Sequence, residues 1–76
     1  MPWRDISTNN DGTAFSVGFA RLRLDPHHNK FLLKSDYLPG DDERILNTDD
    51  SETAMRLAKE MLLSAVRRRI EMIEVI

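Results

Sequence analysis

There is no cysteine in these 76 residues, and there are only two histidines, three glycines and three prolines. The missing cysteines exclude disulfide staples and thiolate metal sites, the usual supports of a domain this small. Structural zinc wants four ligands, so His27-His28, even with Asp25 beside it, reads as a solvated turn. The three glycines, Gly12, Gly18 and Gly40, are too scattered to form a phosphate-cradling loop. No Ser, His and Asp spacing suggests a catalytic triad. A chain of this length also leaves little room for the desolvated cleft that tunes acid–base pairs. The expectation is therefore a protein that is not an enzyme and uses no cofactor. No stretch approaches the roughly 18 apolar residues of a membrane span, and Met1-Pro2-Trp3-Arg4-Asp5 is not an apolar signal run. A cytoplasmic protein with no membrane partner is expected.

Charge of one sign is missing too. The formal net charge is −2 and charged residues make up 32%. Up to Thr48 six Lys/Arg face seven Asp/Glu, and from Asp49 onward five face six. Neither part is a basic arm that would draw the chain to nucleic acid. Hydrophobic residues make up 41%, which is ordinary for a folded domain and not for a disordered chain.

The pattern along the chain predicts one α+β domain over 1–76. It comprises a three- to four-stranded antiparallel β-meander over 1–48 and one long C-terminal amphipathic helix over 49–76, packed on the sheet. Asn9-Asn10-Asp11-Gly12 is a turn signal, and Asp-Gly suits a type I′ hairpin. It separates Trp3–Ser7 from a β-like run, Thr13–Leu24. There Phe15, Val17 and Phe19 share one parity, whereas Ala20, Leu22 and Leu24 take the other. A strand has a side-chain period of two, so a bulge near Gly18, or a sheet covered on different faces at its two ends, would reconcile the sets. Asp25-Pro26-His27-His28-Asn29 reads as a turn. Phe31–Leu38 reads as the partner strand, ended by Pro39-Gly40-Asp41-Asp42, and Arg44–Asn47 as a further short strand.

From Asp49 the period changes. Asp49-Asp50-Ser51-Glu52 offers an N-cap oxygen followed by Glu, a capping-box-like start. At about 100° per residue, Ala54, Ala58, Met61, Leu62, Ala65 and Met72 form one stripe. Glu52, Arg56, Glu60, Arg67, Glu71 and Glu74 lie opposite, with Glu52/Arg56 and Arg56/Glu60 spaced to pair.

Three surfaces remain. Leu63, Val66, Ile70 and Ile73 form a second apolar strip, roughly 60–140° from the middle of the first. A helix from Asp49 to Ile76 would span about 40 Å, against a compact diameter of roughly 30 Å for such a chain. Its last turns would overhang the sheet, unless the tail from Ile70 folds back as a strand. The second surface is Arg67-Arg68-Arg69, whose bland reading is complementarity to the helix dipole. Its sharper reading is phosphate binding by Arg67 and Arg68, reinforced from the sheet by Arg21, Arg23 and Lys34. The third is the acidic series around Asp41, Asp42 and Glu43, which could steer a basic partner.

The leading expectation is a small protein that docks on a host protein or ribonucleoprotein complex. Its contact residues would be Leu63, Val66, Arg67, Ile70 and Ile73, with Asp41, Asp42 and Glu43. In size and layout alone, without a motif, the chain resembles phage- or mobile-element-encoded inhibitors, anti-CRISPRs among them, which would place it in a host cytoplasm. Nucleic acid ranks below. A three-stranded sheet followed by a helix resembles AP2-type and integrase arm-binding domains, and Thr48–Ala58 has the acidic-then-Ala-rich helix start of that layout. These strands lack the dense Arg/Trp face that such readout needs. A homodimer through the C-terminal helix is the third expectation.

Overall fold

The computed structural model describes residues 2–10, 12–40 and 42–76. They form a five-stranded antiparallel meander in sequence order, followed by one helix. The strands are β1 (Arg4–Asp5), β2 (Ala14–Ser16), β3 (Ala20–Asp25), β4 (Lys30–Ser35) and β5 (Arg44–Ile45), and the helix is α1 (Ser51–Glu74). The α+β layout is the expected one, with more and shorter strands. Both edge strands are only two residues long.

The run Thr13–Leu24 is not one bulged strand. It reverses between Val17 and Ala20, so that β2 and β3 form a hairpin with Phe15 opposite Leu22. Gly18 sits at φ +93°, and Phe19 keeps a negative φ. That sign pattern belongs to a type II′ reversal, which needs glycine at its first central position. The parity switch thus marks a change of direction, and Phe15, Val17, Ala20, Leu22 and Leu24 face one side, with Ala14 on the other. Phe19 hides the turn in the sequence because aromatics are poor turn formers. It is held by a stack on Tyr37, with ring centroids 4.9 Å apart, and its carbonyl accepts a 2.7 Å hydrogen bond from the Ser35 hydroxyl.

Other boundaries move for similar local reasons. Thr8 and Gly12 exchange backbone hydrogen bonds of 3.1 and 2.9 Å. Gly12 therefore belongs to the closing pair of the hairpin, not to the centre of a two-residue turn; Asp11 lies outside the described residues. β4 stops at Ser35 rather than Leu38, because the Ser35 hydroxyl accepts from the Tyr37 N–H at 3.1 Å and bends the chain. After β5, the Leu46 N–H donates to the Phe31 carbonyl at 2.8 Å, and the Phe31 N–H donates to the Thr48 carbonyl at 2.9 Å.

The helix starts two residues later than Asp49, and its cap differs from the expected box. Asp50 is the N-cap, and its carboxylate accepts from both the Thr53 N–H at 2.9 Å and the Thr53 hydroxyl at 2.7 Å. Glu52 therefore takes no part in a reciprocal box. The i,i+4 pairs Glu52/Arg56 and Arg56/Glu60 do not close into ion pairs; among the described residues the ion pairs are Arg23–Glu43 and Asp25–His28. The C-terminal tail stays helical to Glu74 and does not return as a strand.

Hydrogen bonds from Thr53 hold the Asp50 carboxyl below its ordinary range. His28 does the same for Asp25, with help from the His27 N–H, and Ser7 for Asp5. A folded-state value below the unfolded one means stability that is complete above the unfolded value, about 3.9, and lost as pH falls through the folded one. The melting temperature is accordingly expected to hold above about pH 4 and to fall below it. Asp50→Asn, which keeps an acceptor oxygen, should shallow that fall in circular-dichroism melts. An unchanged acid limb in the variant would show that the cap does not carry it.

The core lies between α1 and one face of the sheet. Leu22, Leu33 and Phe31 are its fully buried large side chains, closed by Leu38, Leu46, Ala54, Met55, Ala58 and Leu62. Register places Leu22 opposite Leu33 and Leu24 opposite Phe31 on this face. Met61 and Ala65 pack partly against it, as their stripe predicts. Met72, on the same stripe, is 64% exposed because the sheet no longer lies beneath it.

Candidate functional site

Every residue from Arg67 to Ile76 is exposed. The helical part of that segment, eight residues, extends about 12 Å beyond the last partly buried position, Val66. The radius of gyration, 13.4 Å, exceeds the roughly 11.4 Å of a compact chain of this length. The longest dimension is 48 Å. Five of the expected contact residues, Arg67 among them, fall on this projection or at its root. Leu63 is 43% exposed, Ile70 49% and Ile73 66%, and Val66 is half-buried between them.

At its root the strip joins a groove of about 450 Å³ between α1 and the β2–β3 turn. Leu62, Leu63 and Val66 form the helical wall, and Trp3, Val17, Phe19 and Tyr37 line the rest. Lys59 is its one charged lining residue among those described. Sequence reasoning missed this groove because it depends on the Gly18 reversal, which brings Phe19 up beside the helix. The signal was present: a Phe at a turn centre is an apolar residue outside the strand pattern. Such a wall can accept an apolar side chain or helix face, and it offers no paired acid and base for chemistry.

The charged candidates are dispersed. Arg23 and Glu43, expected to serve phosphate and a partner respectively, hold each other through two 2.9 Å hydrogen bonds. The Glu43 contact raises the Arg23 pKa further above its ordinary value. Register sets Arg23 between Ala14 and Leu32 on the face away from α1, where its stem helps to bury both. Arg21 stands directly opposite Lys34 on that same outer face, and Ser16 lies between Arg21 and Arg4 in the next strands. None of Arg4, Arg21 and Lys34 is ion-paired among the described residues. Arg67 and Arg68 belong to α1, on the other side of the sheet. The structure therefore does not bring the expected phosphate-binding set onto one surface. Asp42 is exposed beside β5, and Asp41 lies outside the described residues. Arg69, angled toward the sheet, escapes burial by lying over the sheet's end. There it lines a shallow cavity with Leu38, Pro39 and Gly40.

His28 Nδ1 contacts the Asp25 carboxylate at 2.6 Å, and the other Asp25 oxygen accepts from the His27 N–H at 3.0 Å. The pair is thus turn chemistry, closing the β3–β4 hairpin together with Asn29 at φ +53°. Among the described residues no group of three or more His, Cys, Asp or Glu side chains could hold a metal ion. No helix among them is long and apolar enough to cross a membrane.

Fold and site together define a small α+β meander with a single helix that outruns its sheet. No protein-family model, curated protein or solved structure matches the chain.

Proposed function

We propose that this chain is a non-enzymatic protein-binding protein whose working surface is the free end of α1 and the groove at its root. One observation carries the reading: Ile70 and Ile73 stand clear of the sheet, in line with Leu63 and Val66 at the groove. A small domain gains nothing in its own stability from apolar side chains held in water. Exposed apolar surface of this kind marks association sites. Docking of this sort suits an inhibitor that covers a surface of a host protein or ribonucleoprotein complex, anti-defence inhibitors among them. Nucleic-acid binding has less support. The outer-face row offers three cations, against the six to ten phosphate contacts of strongly salt-dependent DNA binders.

The test is affinity purification from the native host with the wild type and a Leu63/Ile70/Ile73→Asp variant. The three positions are exposed, so the variant should melt within a few degrees of the wild type while losing its partners. Recovery of the same partners by both proteins would place the working surface elsewhere.

A further inference from the structure

We infer that the occupant of the exposed strip is a second copy of this chain, paired in parallel through Leu63, Val66, Ile70 and Ile73. The inference rests on reading the helix end as a docking surface and names a second copy as what docks there, so that a further protein would meet the pair and not the bare strip. The four positions are spaced three, four and three residues apart, the a–d–a–d pattern of a two-helix seam. Lys59, in the preceding d position, ends the seam on its N-terminal side.

Area points the same way. A compact monomer of 8.8 kDa exposes about 4,800 Å², whereas this chain exposes 5857 Å². The difference, roughly 1,000 Å², is on the order of the 800 Å² that one side of a standard interface buries.

Charge decides the orientation. With Leu63 at a, Arg69 falls at g and Glu74 at the following e, and neither has an ion-pair partner among the described residues. In a parallel pair, g of one helix meets the next e of the other. Arg69 then faces Glu74 of the second copy, twice by symmetry. An antiparallel pair that stacks Leu63 on Ile73 and Val66 on Ile70 would instead bring Arg67 and Arg69 within about two residues of their own copies along the axis, with like charges opposed. β-Branched residues at both core positions favour three or four strands in free coiled coils. Here the groove wall of Trp3, Phe19 and Tyr37 closes one flank of the strip at Leu63 and Val66, leaving room there for one neighbour. A two-fold axis sends the two sheets to opposite sides of the helix pair.

Sedimentation equilibrium from about 10 to about 500 µM protein should show a mass rising from monomer to dimer. R69E and E74R should each weaken the dimer roughly three- to tenfold, since each turns two attractive pairs into two repulsive ones. An equimolar mixture of the two variants, or the double variant R69E/E74R, should restore it. Because the chain has no cysteine, Ile73→Cys should cross-link as a dimer on mild oxidation, which an antiparallel pair would not allow. A monomer throughout the range, a larger assembly, or charge variants as tight as the wild type would overturn the inference. If the monomeric chain still recovered host partners that the Leu63/Ile70/Ile73→Asp variant lost, the pair would fall and the docking reading would stand. If those partners were also indifferent to the Asp substitutions, both would fall.

Discussion

Phe31→Ala is expected to remove about a quarter or more of the folding free energy. Phe31 is 1% exposed and sits where β4, the segment after β5 and the helix meet. Its ring lies 6.4 Å from that of Phe15, tilted by 39°. Truncating a buried Phe costs about 3–5 kcal/mol, from lost burial and the cavity left behind. A domain of this length has about 4–11 kcal/mol in all, at the usual 0.05–0.15 kcal/mol per residue. No disulfide or metal cluster among the described residues offsets the loss. At roughly 4–8 °C per kcal/mol, the melting temperature should drop by at least about 12 °C. Urea titration followed by circular dichroism measures this directly. Phe31→Leu should cost less than about half as much, because it keeps most of the buried volume. If Phe31→Ala unfolded at nearly the wild-type urea concentration, Phe31 would not be at the centre of the core.

Ala58→Leu tests the same core from the helix side. Ala54 and Ala58 are both 0% exposed, and they fall one above the other on the face of α1 that meets the sheet. Small side chains there let the helix backbone lie close over Leu22 and Leu33. Three added carbons at Ala58 have no void to enter, so either side chains leave their rotamers or the helix lifts. Such overpacking typically costs about 1–3 kcal/mol. Ala65 shares the stripe but is only partly buried, and Ala65→Leu should be nearly neutral. Equal effects at the two positions would contradict a helix that rises off the sheet along its length.

How far the sequence foretells this arrangement depends on how many residues carry each signal. The helix was legible because apolar and charged residues alternate at the 3.6 period over 24 positions with no Gly or Pro, so single exceptions such as Arg69 do not blur it. Its overhang followed from length alone. The strands were harder. β1 and β5 contribute two residues each, too few to show alternation. The β2–β3 reversal left only a parity switch, which a bulge produces equally well, and the φ of Gly18 is what separates the two. The exposed strip Leu63–Ile73 was readable as one face of a helix. The groove was not, since it needs Trp3, Phe19 and Tyr37 brought together from three separate segments. Nor was the Arg23–Glu43 pair: twenty residues separate its members, and no local pattern assigns them to each other.

The two-residue edge strands have a consequence for assembly. A longer bare edge would let copies add strand to strand without limit, toward fibres. Here the rims of the sheet are too short to template such growth. The helix face, in contrast, is satisfied once a like face covers it, because a two-fold contact uses the same patch on both partners and leaves none to propagate. If the helix faces pair as inferred, assembly therefore closes at two copies rather than continuing into a polymer.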